Sequence, residues 1–191
     1  MTDPVADLQL GLEELAAEDR SGWMPLALSD RLRDVSGLRE STEVETIRIL
    51  ADWDRACAWS EDGAVTAVAW MTKDLGMTPG EAAGLIHLAR FYAEHRTVRD
   101  ALDGQGLSVA AAKILQRASR RREEVFADCV EGLVQLGVEM PLGEFATVVA
   151  QWAELVDDQA PADESKRRVR SVDVGDQGIT EIVGSTQDAA V

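Results

Sequence analysis

The chain has 191 residues, with 35 carboxylate side chains, 19 lysines and arginines, a formal net charge of −16 and 46% hydrophobic residues. That is enough apolar material to close a core and too much for a wholly disordered chain. The charge repels phosphate and anionic lipid, so nucleic-acid binding would need a local basic exception. The longest uncharged stretch, Gly63 to Thr72, is about half of what a membrane helix needs, so no membrane span is expected. Two cysteines 72 positions apart make no disulfide framework, and Met1-Thr2-Asp3-Pro4 has no basic or apolar leader character; a reducing cytoplasm is the expected setting.

In chain order, residues 1–40 are broken by Pro4, Gly11, Gly22, Pro25 and Gly37 and read as an acidic, partly helical N-terminal arm. Its helical stripe runs from Val5 to Ala17. From Ser41, the residues Val44, Ile47, Leu50, Trp53 and Cys57 recur at steps of three or four, opposite Glu45, Arg48, Asp52 and Arg55: an amphipathic helix. A short apolar helix over Ala64 to Leu75 follows, closed by Gly76. Thr78-Pro79-Gly80-Glu81 then has the form of a capping box with proline at the first helical position, so a helix starts at Pro79, striped by Ala82, Leu85, Ile86, Ala89 and Tyr92.

A short helix through Val98 to Leu102 and a turn at Asp103-Gly104-Gln105-Gly106 lead to a Ser108-capped helix from Val109 to about Ala118. Phe126, Cys129, Val130 and Leu133 line the next helix, which Gly137 is expected to stop. Pro141 opens the last, with Phe145, Val148, Val149, Trp152 and Leu155 facing inward. The expected class is therefore mainly α, a bundle of about six helices in a domain at 41–157, with a charged linker at 158–168, a β-hairpin at 169–184 around Gly175-Asp176-Gln177-Gly178, and a tail at 185–191.

Asp62-Gly63 through Trp70, Gly76 to Ala82, Leu88-Ala89-Arg90, Ala101-Leu102 with Gly106-Leu107-Ser108, and Ala111-Ala112 form an order of small, capping and aromatic positions. This order, over roughly residues 41 to 184, resembles the actinobacterial helical family called domain of unknown function 222. In that family the helical region typically precedes an HNH nuclease domain, so the resemblance implies a link to DNA cleavage or mobile elements. It carries no catalytic residue. An HNH site needs a histidine base beside metal-binding His, Asn or Asp, commonly on a frame with paired cysteines. This chain has only His87 and His95, no Cys-x-x-Cys, and ends at Val191. The expectation is an N-terminal module without its nuclease, from a truncated or split gene or a degenerate paralogue, with no catalysis, metal or cofactor of its own.

The strongest local anomaly is the run Lys113, Arg117, Arg120, Arg121 and Arg122, five bases with no acid between Gly104 and Arg122. A turn, a capped helix and a basic end loosely echo a helix-turn-helix, in which these residues would contact phosphate or guanine. The alternative is that they satisfy the dipole of a helix C-terminus and pair with nearby acids such as Glu123 and Glu124. The half that a recognition helix would present, Ser108 to Ala112, is almost featureless.

Lys166, Arg167, Arg168 and Arg170 form a second cluster, either a solvated linker or a phosphate-contacting strap. His87 is expected at a surface or between helices, and Cys57 and Cys129 as core thiols. Trp23, alone among five tryptophans, lies in the weakly patterned arm and could dock on the body or on a partner. Two functions stay open: a non-catalytic DNA-targeting or accessory module, or an acidic helical protein-interaction or self-association module. No Ser-His-Asp set, phosphate loop or dinucleotide fingerprint is present.

Overall fold

The computed structural model describes residues 3–159, together with the backbone of 170–175 and 178–183. The body is all-helical. Eight helices run α1 (Pro4–Ala17), α2 (Pro25–Arg55), α3 (Ala67–Asp74), α4 (Pro79–Glu94), α5 (Arg96–Asp103), α6 (Val109–Ser119), α7 (Glu123–Glu139) and α8 (Leu142–Gln159), with a single 3₁₀ turn at Ala58–Ser60.

This corrects the expected class of about six helices with a C-terminal β-hairpin: no strand or sheet is part of the helical body at residues 3–159. Arg170–Gly175 and Gly178–Val183 are described by backbone alone, aligned with each other as a lone pair. Such a pair supplies no layer on which helices pack, so the alternating pattern there does not enter the fold class. The helix count rises because the arm's stripe from Val5 to Ala17 forms a complete helix, α1, outside the domain expected at 41–157, while the short helix through Val98 to Leu102 stands as its own element, α5, parted from α4 by His95.

Two further differences have local causes. Pro25 sits at the first position of α2, where its missing N–H costs nothing, and Gly37 lies inside the helix; α2 therefore runs through residue 40 as 31 continuous residues. One interior glycine costs only about 1 kcal/mol against alanine, too little to end so long a helix. Likewise Gly137 does not stop α7, which continues to Glu139.

The chain divides into two compact units, residues 1–109 and 110–191. In the first, α2 and α3 both pack on α4, and α5 follows against α4. Ile47, Ala82, Ala89, Val98 and Leu102 are fully buried. The expected capping box is formed: Thr78 Oγ1 accepts from the Glu81 amide at 3.3 Å, and Glu81 accepts from the Thr78 amide at 3.0 Å. Gly76, at φ +67, takes the left-handed turn just past the end of α3. The Asp62-to-Trp70 spacing also has a physical reason: the Trp70 indole N–H donates to Asp62 at 2.8 Å, while its ring lies 4.8 Å from that of Trp53.

In the second unit α7 packs on α8, with Phe126 and Phe145 fully buried and Phe126 edge-on to Trp152 at 6.0 Å. Cys57 and Cys129 are not core thiols. α2 ends at Arg55, which puts Cys57 past the helix at φ 53 and exposed, while Cys129 is half-buried.

Candidate functional site

The basic run falls on α6 and the turn after it. The first half of α6 is turned inward: Val109, Ala111, Ala112 and Leu115 are buried, so the surface that a recognition helix would lay in a groove is used for packing. Lys113 is half-buried, and Arg117, Arg120 and Arg121 are exposed.

Arg122 has a structural task. It bridges to Asp157 of α8 with Nε to Oδ1 at 2.7 Å and Nη2 to Oδ2 at 2.5 Å, and its Nη1 donates to the Ala118 carbonyl at 2.9 Å. The Arg122 guanidinium holds the Asp157 carboxyl below the usual carboxylate range, against a smaller desolvation effect. Arg121 takes φ 64 at the turn, and its amide donates to Glu123. Glu123 and Glu124 open α7, where carboxylates meet the positive end of the helix dipole. Arg117, Arg120, Arg121 and Arg122 are thus brought to one helix end, with Lys113 half-buried in the middle of α6, and Arg122 is committed to an ion pair. Of the second basic cluster, Lys166, Arg167 and Arg168 lie outside the described residues, and Arg170 is described by backbone only.

Sequence reasoning missed two polar clusters in the first unit. The buried Tyr92 of α4 donates its hydroxyl to Asp103, at 2.9 Å to Oδ1, and Arg48 of α2 reaches the same carboxylate at 3.3 Å. Burial pushes the Tyr92 phenol up, and the Tyr92 hydroxyl followed by Asp103 raises Arg48, so this is a neutral hydroxyl held in a charged clasp. Arg90 of α4 forks onto Asp54 of α2 at 2.7 and 3.2 Å. A buried tyrosine announces that its hydroxyl needs a partner. Nothing in the spacing says that the partner stands eleven residues on. Both clusters tie helices together, and neither sets a nucleophile beside a base.

His87 is exposed, and His95 is half-buried with its ring 4.5 Å from Phe91, which lowers the imidazole's pKa by desolvation. Among the described residues, no group of three or more His, Cys, Asp or Glu is placed to hold a metal ion, and no helix is long and apolar enough to cross a membrane.

The unusual surface is the arm. No residue of α1 is buried, and none of α2 before Val44. Val5, Leu8, Leu10 and Leu12 on α1, Met24 beside α2, and Leu26, Leu28 and Leu32 on α2 are between 36% and 72% exposed. The connection is nonetheless built. Arg31 pairs with Glu18 at 3.0 Å, Arg20 approaches the same carboxylate at 3.5 Å, and the Arg31 guanidinium lies 5.3 Å over the Trp23 ring. At this corner Trp23, Met24, Ala27, Asp30, Arg31 and Asp34 line an open groove of about 440 Å³. Trp23 therefore docks locally, against Arg31 and the start of α2. Comparison with protein-family models, curated proteins and solved structures gives no match for this chain.

Proposed function

We propose that the chain is a non-catalytic helical protein-interaction module whose contact surface is the N-terminal arm, α1 with the first half of α2. The observation that carries this reading is the concentration of large exposed apolar side chains on that arm, beside a joint held by the Glu18, Arg20, Arg31 and Trp23 contacts. Large apolar side chains gathered on one exposed segment are a characteristic mark of an interaction site. The free thiols of Cys57 and Cys129 are in keeping with a cytoplasmic setting. The test places a photo-crosslinking residue at Leu10 or Leu26, and at Leu155 of α8 as a control, in the source cells. Crosslinks from the arm positions to one polypeptide identified by mass spectrometry support the reading. Arm positions that crosslink only nucleic acid, or crosslink no more than Leu155, overturn it.

A second reading, the DNA-accessory role implied by the resemblance to the domain of unknown function 222 family, draws on the exposure of Arg117, Arg120 and Arg121 at one helix end. It has fewer cations to work with than the sequence suggests, because Arg122 is engaged with Asp157.

A further inference from the structure

We propose that the arm seats a basic, amphipathic helix of a partner polypeptide, with the groove at Trp23 as its anchor. The proposal rests on the reading of the arm as the contact surface and adds the chemistry of what lies there. Residues 3–34 carry eight carboxylates and three arginines. All three arginines are already engaged within the arm, Arg20 and Arg31 on Glu18 and Arg33 on Asp30. What the arm offers outward is therefore leucine flanked by negative charge.

That combination selects against two other occupants. A second copy would bring a like-charged arm onto this one, in a chain of net charge −16, and like charges brought together across an interface cost several kcal/mol. A nucleic acid meets the same repulsion and cannot use the apolar surface. A cationic helix gains on both counts: its apolar face covers the leucines, and its bases meet the carboxylates.

The groove sharpens the match. Trp23, Met24 and Ala27 line it together with Asp30, Arg31 and Asp34; the Arg31 charge is held by Glu18 and the Asp30 charge by Arg33, which leaves Asp34 to give the groove its outward negative charge. A partner helix laid alongside would set a bulky apolar side chain beside Trp23. It would bring a Lys or Arg one turn further along, about 6 Å down its axis, opposite Asp34.

The experiment uses the full chain and fluorescently labelled 18-residue peptides, read by anisotropy. The probes are a Leu/Lys helix in amphipathic order, the same composition scrambled, and a Leu/Glu helix. The amphipathic Leu/Lys peptide is expected to bind at least tenfold tighter than either of the others. Leu26→Gln with Leu32→Gln should raise its Kd at least tenfold. Asp30→Asn with Asp34→Asn should weaken binding severalfold and flatten its salt dependence, and Leu155→Gln should change nothing. None of the substituted side chains is buried, so circular dichroism should be unaltered in every variant. Equal binding of the scrambled peptide, or equal loss in the Leu155 variant, overturns the proposal. A wild-type dimer in sedimentation that the Leu26/Leu32 pair dissolves also overturns it, in favour of a second copy. If the arm crosslinks a polypeptide while the Leu/Lys peptide does not bind, the interaction reading stands and the partner chemistry assigned here falls.

Discussion

Arg122 and Asp157 form a two-pronged ion pair in which the arginine side chain is only 17% exposed, while the aspartate remains 59% exposed. The pair ties the α6–α7 turn to α8, and it decides how a basic run in an acidic protein is to be understood. Arg122→Lys keeps the charge but cannot form the fork. It should lower the Tm, whereas Arg117→Lys should not. The pair also sets an acid limb. Asp157 has its carboxyl pKa below the ordinary 3.8 in the folded state, so its contribution is present above 3.8 and is lost as pH falls through the depressed folded value. Urea titrations across that range should show a shallower acid loss in Asp157→Asn than in wild type.

The exposed cations are a separate matter. Arg117→Ala, Arg120→Ala and Arg121→Ala combined should lower the unfolding free energy by no more than about 1–2 kcal/mol, because exposed cations at a helix C-terminus each contribute only a few tenths of a kcal/mol. Under the interaction reading, wild-type protein gives no gel shift with duplex DNA at low salt. A shift that the triple variant abolishes would instead favour the DNA-accessory reading.

Within α2, two leucine-sized substitutions should differ widely. Ile47 is fully buried and Leu32 is 68% exposed. Ile47→Ala should cost roughly 2–5 kcal/mol through lost transfer energy and a residual cavity. Leu32→Ala should stay within about 0.5 kcal/mol. Urea unfolding of the two variants, monitored by circular dichroism, measures both.

His95 adds a second pH dependence. Burial against Phe91 lowers its pKa from the ordinary 6.5, with Glu94 opposing. Above 6.5 the ring is neutral in folded and unfolded chains alike. Between 6.5 and the lowered folded value only the unfolded chain takes up the proton, so stability falls as pH drops through that window. His95→Gln should lose less stability than wild type between about pH 7.5 and about pH 5.5, a range that brackets the ordinary histidine value.

The helices that were legible in the sequence are those with a local chemical signature. Thr78, Pro79 and Glu81 mark the start of α4 because a cap is made by residues three apart. The stripe Val44, Ile47 and Leu50 marks a buried face for the same reason of short range. Less visible were features set by distant partners. Residues 25–40 read as broken because Pro25 and Gly37 are interruptions by local propensity, whereas the register of the helix continuing into Val44 carries them. The basic run was legible as charge, but its division into Arg122, paired, and Arg117, exposed, depends on Asp157 standing 35 residues away. The arm's apolar residues could be counted. Their exposure could not, since a sequence does not say which stripe finds a neighbour.

The continuity of α2 bears on how the protein opens. At 1.5 Å per residue the helix is about 46 Å long, and its two halves belong to different stability regimes. Amides near Val44 to Ala51 sit in the core and exchange with solvent through opening that approaches global unfolding. Those near Leu26 to Leu38 need only fray from the Pro25 end. Protection against hydrogen exchange should therefore climb along one uninterrupted helix. A ligand on the arm would register as a rise confined to the slowly climbing half, so one helix would report occupancy at one end and the integrity of the fold at the other.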